Sequence, residues 1–178
     1  MSIRLLLLST FTLLGLATAA QEIKVSGNSS EIVDGDNSPS SSDFTNFGSV
    51  LESGATISRI FTIENTGSST LSLTGSTLVE VSGTNNSDFT ITSQPNSSVS
   101  ASGSTTFVIE FNPSATGARS AEISIANNDA NENPYNFSIE GVGMDELDYP
   151  LELTWMSGSS SGNNSGVYGT KGVAASTN

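Results

Sequence analysis

The sequence predicts an all-β chain, folded as an antiparallel two-sheet β-sandwich of about seven strands. Three observations carry that expectation. From Glu22 onward the apolar residues alternate with polar ones, the period that buries one face of a strand, and no stretch repeats at helical spacing. Clusters of Asn, Gly, Pro and Ser punctuate the alternation at short intervals. Charged residues make up 13% of the 178, and Ser, Thr, Asn and Gly take the solvent faces.

The strands follow in order. Ile57, Arg59, Phe61 and Ile63 share one face of a strand whose other face carries Ser58, Ile60 and Thr62, and Asn65, Thr66 and Gly67 turn it. Leu71 and Leu73 open a short strand, and Leu78, Val79 and Val81 another. Phe89 and Ile91 mark a strand closed by Gln94 and Pro95, since proline cannot donate to a central ladder. Phe107, Ile109 and Phe111 alternate with Thr106, Val108 and Glu110 until Asn112 and Pro113 break the run. Ala121, Ile123 and Ile125 form the next inward row, and Tyr135, Phe137 and Ile139 the last. The polar loop Asn127 to Pro134 joins these two rows as a closing hairpin. Strand spacing favours a sandwich, with a small barrel as the alternative that periodicity does not separate.

Before this domain, residues 1–20 have the layout of a secretory signal: Arg4, an apolar stretch from Leu5 to Leu16, then Ala17, Thr18, Ala19 and Ala20. The stretch is shorter than the roughly 20 residues that span a bilayer, so cleavage near Ala20 and export are expected, with no membrane insertion afterwards. The destination is extracellular, cell surface or periplasm. Five Lys and Arg stand against 18 Asp and Glu, a formal net charge of -13, which disfavours nucleic acid as a partner. There is no Cys and no His, which removes thiol nucleophiles, disulfides, the usual zinc ligands and the histidine base.

The stretch "IFTIENTGSSTLSLTGSTLVEVSGTNNSDFTI", with "SGSTTFVIEFNPSATGARSAEISIANNDANENPYNFSIEGVG" after it, resembles the choice-of-anchor D module. That module is a bacterial branch of the immunoglobulin-like domains of the abnormal-spindle and hydin type. The resemblance covers roughly 22–143. It implies an immunoglobulin-like sandwich of seven strands in exported proteins, with no catalytic residues to carry over. In "FNPSATG", Pro113 stops a strand and Gly117 permits the reversal, so the local chemistry agrees. The tail, 144–178, holds the sole Trp, Trp155, and a Gly/Ser stretch from Ser157 to Gly166. It resembles the opening of a kelch-type β-propeller, or is a flexible linker, and both readings stand at this point.

Two oxygen-rich loops are candidate cation sites, and Ca²⁺ is the ion such loops take. The first holds Asp34, Asp36 and Asp43. It begins like an EF-hand loop but places Pro39 where a glycine is required and Thr45 where a bidentate Glu is required. The second holds Asp129 and Glu132 among Asn127, Asn128 and Asn131. Asn and Asp are also ordinary turn formers, and that reading competes at each loop. Glu110, Glu122 and Glu140 fall on the outward phase of their strands, where a solvated face is the ordinary outcome. No G-x-S-x-G elbow accompanies the many serines, so no catalytic residue is assigned. The Asn-x-Ser sequons at Asn28, Asn85, Asn96, Asn136 and Asn163 follow from Asn and Ser abundance.

The expected function is a non-enzymatic structural or interaction module of a secreted or cell-surface protein, its partner a protein or a cell-surface polymer. A Ca²⁺- or carbohydrate-binding module is one alternative. An N-terminal accessory domain of a larger propeller protein is the other.

Overall fold

A computed structural model describes residues 20–147. The leader, and the tail residues from 148 onward with Trp155, lie outside the described residues. Within them the chain forms eleven strands: β1 (Ile23–Gly27), β2 (Ser30–Ile32), β3 (Asn46–Leu51), β4 (Ile57–Asn65), β5 (Leu71–Ser72), β6 (Glu80–Ser82), β7 (Phe89–Ser93), β8 (Ser98–Val99), β9 (Ser104–Phe111), β10 (Gly117–Ile125) and β11 (Tyr135–Met144). The one helical element is a 3₁₀ turn, Asn86–Asp88. No described helix is long and apolar enough to cross a membrane.

One sheet has the order β2-β1-β4-β9-β7 and the other β3-β11-β10-β6, with β5 and β8 paired separately. The seven expected strands correspond to β4, β5, β6, β7, β9, β10 and β11, and the structure adds β1, β3 and the short pieces β2 and β8. Pairing is antiparallel except for β3, which lies parallel to β11. The connection from Ile32 to Asn46 carries the chain from the first sheet to the second, so β3 arrives in the direction of β11. Asn28 and Ser29 both take positive φ, as a two-residue hairpin turn between β1 and β2 requires.

Alternation decides which side chains are buried. Phe61, Ile63, Phe107, Ile109, Phe111, Ile123 and Ile139 are fully buried, while Ser58, Ile60 and Glu122 face solvent. Phe61 stacks on Phe107 at 5.3 Å and Phe89 on Phe111 at 4.7 Å. Phe47 of β3 crosses the interior to meet Phe89 at 5.6 Å and Phe111 at 5.9 Å, joining the sheets through aromatic contacts. Opposite Phe111, Gly141 of β11 leaves the room its ring occupies; a Cβ there would collide with that ring. Arg59 sits on the inward phase at the margin of this core, its guanidinium carbon 4.5 Å from the centre of the Phe44 ring.

Candidate functional site

The carboxylates of the first oxygen-rich loop accept backbone N–H groups. Asp34 Oδ1 accepts the Asn136 N–H at 2.7 Å, and the Gly35 N–H donates to the Asn136 carbonyl at 2.7 Å, which lays the loop along β11. Asp36 Oδ1 accepts from the Ser38 N–H at 2.9 Å, the two-residue turn that Asp favours. Asp43 is buried, and its Oδ1 takes both the Thr45 N–H at 3.0 Å and the Thr45 hydroxyl at 2.6 Å.

The second loop is a staple. Asp129, 3% exposed, accepts the Ile23 N–H at 3.0 Å and so fixes the start of β1 to the β10–β11 connection. Its other oxygen accepts from the Asn131 N–H at 3.2 Å. Buried Asn127 donates to the carbonyls of Ile125 and Glu132, and Asn128 takes the Ser72 N–H at 2.8 Å. Glu132 has a buried oxygen, Oε2, with no hydrogen-bond partner. Burial and the negative charges of Glu22, Asp129, Asp34 and Glu31 push its carboxyl above the ordinary 4.5.

The structure therefore brings Asp34, Asp129 and Glu132 into one electrostatic neighbourhood, while Asp36 and Asp43 stay bound into separate turns. Among the described residues, no three acidic side chains are grouped so as to hold a metal ion. Just inside this end, the Tyr135 hydroxyl donates to the Ile32 carbonyl, and burial raises its pKa.

At the opposite end a pair forms that strand periodicity alone does not reveal. Arg119 Nε donates to Asp88 Oδ2 at 2.5 Å, with the Asp88 side chain 1% exposed. Burial works to raise the Asp88 carboxyl, but the hydrogen bonds from Arg119 and Ser114 and the charge of Arg119 outweigh it and hold the carboxyl below its ordinary value. The pair ties the 3₁₀ turn to β10, and so one sheet to the other. The signal in the sequence is Arg119 on the inward phase of Ala121 and Ile123, where a cation needs a partner.

The outer face of the four-stranded sheet also carries concavities. A cavity of about 310 Å³ is floored by Ser120, Glu122, Ser138 and Glu140 and walled by Asn37, Pro39, Gly83 and Thr84. A second, of about 190 Å³, shares Asn37, Glu122 and Ser138 with it and continues to Asp36 and Asn136. A third concavity, the largest of the three at about 420 Å³, lies elsewhere, at Glu64, Asn65, Thr66 and Ser102 to Ser104.

The family model for the HYDIN/CFA65/VesB-like, Ig-like domain matches residues 40–142. The chain belongs to that Ig-like family. A HYDIN/CFA65/VesB-like Ig domain is a sandwich of the kind described, and membership points to a non-catalytic module. Among solved structures, the chain is similar to a protein of unknown function from Porphyromonas gingivalis W83 at 18% identity and a TM-score of 0.50. That likeness covers 74% of this chain and 51% of the Porphyromonas protein, so the chain spans about half of its relative's length. It is also similar to PapD-like domain 7 of human CEP192, at 15% identity and a TM-score of 0.42 over 82% of this chain and 97% of that one. The VesB protease of Vibrio cholerae follows at 16% identity and a TM-score of 0.39, over 54% of this chain and 28% of the protease. No curated protein matches the chain. Family membership accounts for the sandwich, whereas the Asp88–Arg119 pair and the carboxylate end are read from this chain's own side chains.

Proposed function

We propose that the chain is a non-enzymatic structural or interaction module of an exported or cell-surface assembly. The observation that carries this reading is how its chemistry-bearing side chains are used. Among the described residues every aromatic ring is buried or half-buried, and the Asp side chains of both loops accept backbone N–H groups. What remains for a partner among the described residues is a surface mainly of Ser, Thr, Asn and Glu, with Val33, Ile60, Val142 and Leu147 exposed singly. The signal-like layout of residues 1–20 supports export. The "FNPSATG" turn supports the finer assignment to choice-of-anchor D modules, and the run "TWMSGSSSGNNSGVYGTKGVAASTN", similar to the opening of a kelch-type propeller, supports the accessory-domain alternative.

The test is site-specific photo-crosslinking in the producing cell, with the reactive group placed at exposed positions of each outer face. One reproducible crosslinked protein supports the reading; diffuse crosslinks from every position overturn it. Sequencing the N-terminus of the mature protein tests the leader, with Gln21 the expected first residue. A cation-binding reading has one observation in its favour, the partnerless buried oxygen of Glu132 among carboxylates. Calorimetry of Ca²⁺ into the purified chain decides it, and a flat titration at millimolar metal removes it.

A further inference from the structure

We propose that the trough on the outer face of the four-stranded sheet docks an extended, Lys- or Arg-bearing segment of a partner protein. The proposal rests on the interaction reading above and gives it a place and a chemistry. The floor is a cross-strand checkerboard of carboxylate and hydroxyl: Glu122 stands opposite Ser138, and Ser120 opposite Glu140. The walls rise on both sides, Asn37 and Pro39 from the β2–β3 connection and Gly83 and Thr84 from the end of β6. The two cavities share Asn37, Glu122 and Ser138 and so lie side by side along this face.

Charge selects the occupant. Glu122 is exposed and has no hydrogen-bond or ion-pair partner among the described residues. Glu140 commits one oxygen, Oε1, to the Asn46 side-chain amide at 2.6 Å. Glu80 adds a third carboxylate beside the trough, opposite Ser124. The three cations of the described residues are engaged elsewhere: Lys24 with Glu31, Arg119 with Asp88, and Arg59 over Phe44. The trough is thus negatively charged with nothing of its own to compensate it. An extended segment suits it because its ammonium or guanidinium groups answer Glu122 and Glu140, while its backbone groups meet serine and asparagine side chains that donate and accept. The outer face of the five-stranded sheet differs, since Ile60 lies exposed beside Val108 and Lys24 of β1 stands opposite Glu64.

The experiment is fluorescence anisotropy of the full chain with two labelled peptides, an alternating Lys-Thr octamer and its Glu-Thr counterpart. The expected result is saturable binding of the Lys-Thr peptide alone. Its affinity should fall about tenfold in the Glu122→Gln/Glu140→Gln double variant and less than about twofold in Glu110→Gln on the opposite sheet. Glu122→Lys, a single exposed change, should abolish binding with the melting temperature unchanged. Equal weakening by Glu110→Gln would show attraction to the net charge alone and overturn the trough. No binding of either peptide would overturn it as well. Repeating the photo-crosslinking with the double variant separates the two readings: a partner retained there rejects the trough but keeps the interaction module, and no partner for the parent chain rejects the module itself.

Discussion

The two ends of the sandwich handle buried charge in opposite ways. At one end Asp88 is enclosed but answered by Arg119, so the pair joins the sheets. At the other, Glu132 is partly enclosed among Glu22, Glu31, Asp34 and Asp129, and the nearby cation, Lys24, is held by Glu31 at 3.5 Å. A carboxylate therefore ties one end and loads the other. A carboxylate's contribution to a fold is set by what faces it, more than by its burial.

The sharpest way to break this contrast is Arg119→Met, which leaves the Asp88 carboxylate buried without its cation. Urea unfolding at neutral pH should show a loss of about 3 to 5 kcal/mol. A loss below about 1 kcal/mol would mean that the pair ties nothing. Asp129→Ala removes the acceptor of the Ile23 N–H and should cost about 1 to 3 kcal/mol, with hydrogen exchange rising first at the start of β1.

Glu132→Gln should act in the other direction. It removes a charge from a like-charged cluster, and the expected gain at pH 7 is below about 1 kcal/mol because the group is partly exposed. The pH profile sharpens the same contrast. Asp88, lowered from its ordinary 3.8, contributes stability that is present above that value and lost as pH falls through its folded pKa. Glu132, raised from 4.5, contributes stability that is present below 4.5 and lost as pH rises through its folded pKa. Stability measured against pH should therefore decline on both sides of a mildly acidic maximum. Glu132→Gln should flatten the limb toward neutral pH, and Arg119→Met the acid limb. The smallest effect belongs to Lys24→Ala, whose exposed pair with Glu31 should matter by less than about 0.5 kcal/mol and vanish in salt.

Three of the strictly alternating strands were legible in the sequence, whereas β1, which also alternates, was not read as a strand. Phe107, Ile109 and Phe111, then Ala121, Ile123 and Ile125, then Tyr135, Phe137 and Ile139 are buried as the period of two demands. β3 was not legible, because Gly48 takes φ of 78° within it and its exposure pattern does not alternate. Phe47, which meets the rings of the other sheet, went unseen with it. The candidate residues fared likewise. Asp34 and Glu132 are distant in sequence, and the charge of Asp34 reaches Glu132 only in the folded chain, where the Asn136 N–H of β11 donates to Asp34. The trough needed the sheet register and two loops together, and no local pattern holds that information.

The parallel seating of β3 against β11 has a consequence for the order of events when the chain is made. All five strands of the first sheet lie between Ile23 and Phe111, so they can pair as soon as that stretch has emerged from a ribosome or a secretory channel. The second sheet cannot start from β3, whose partner in register is the last strand of the domain. At ordinary synthesis rates the remaining stretch takes on the order of seconds, and through that interval Phe61, Phe107 and Phe111 lack their cover. The first-made half of the domain thus waits, with its apolar face open to chaperones or to other chains, until its final hairpin arrives.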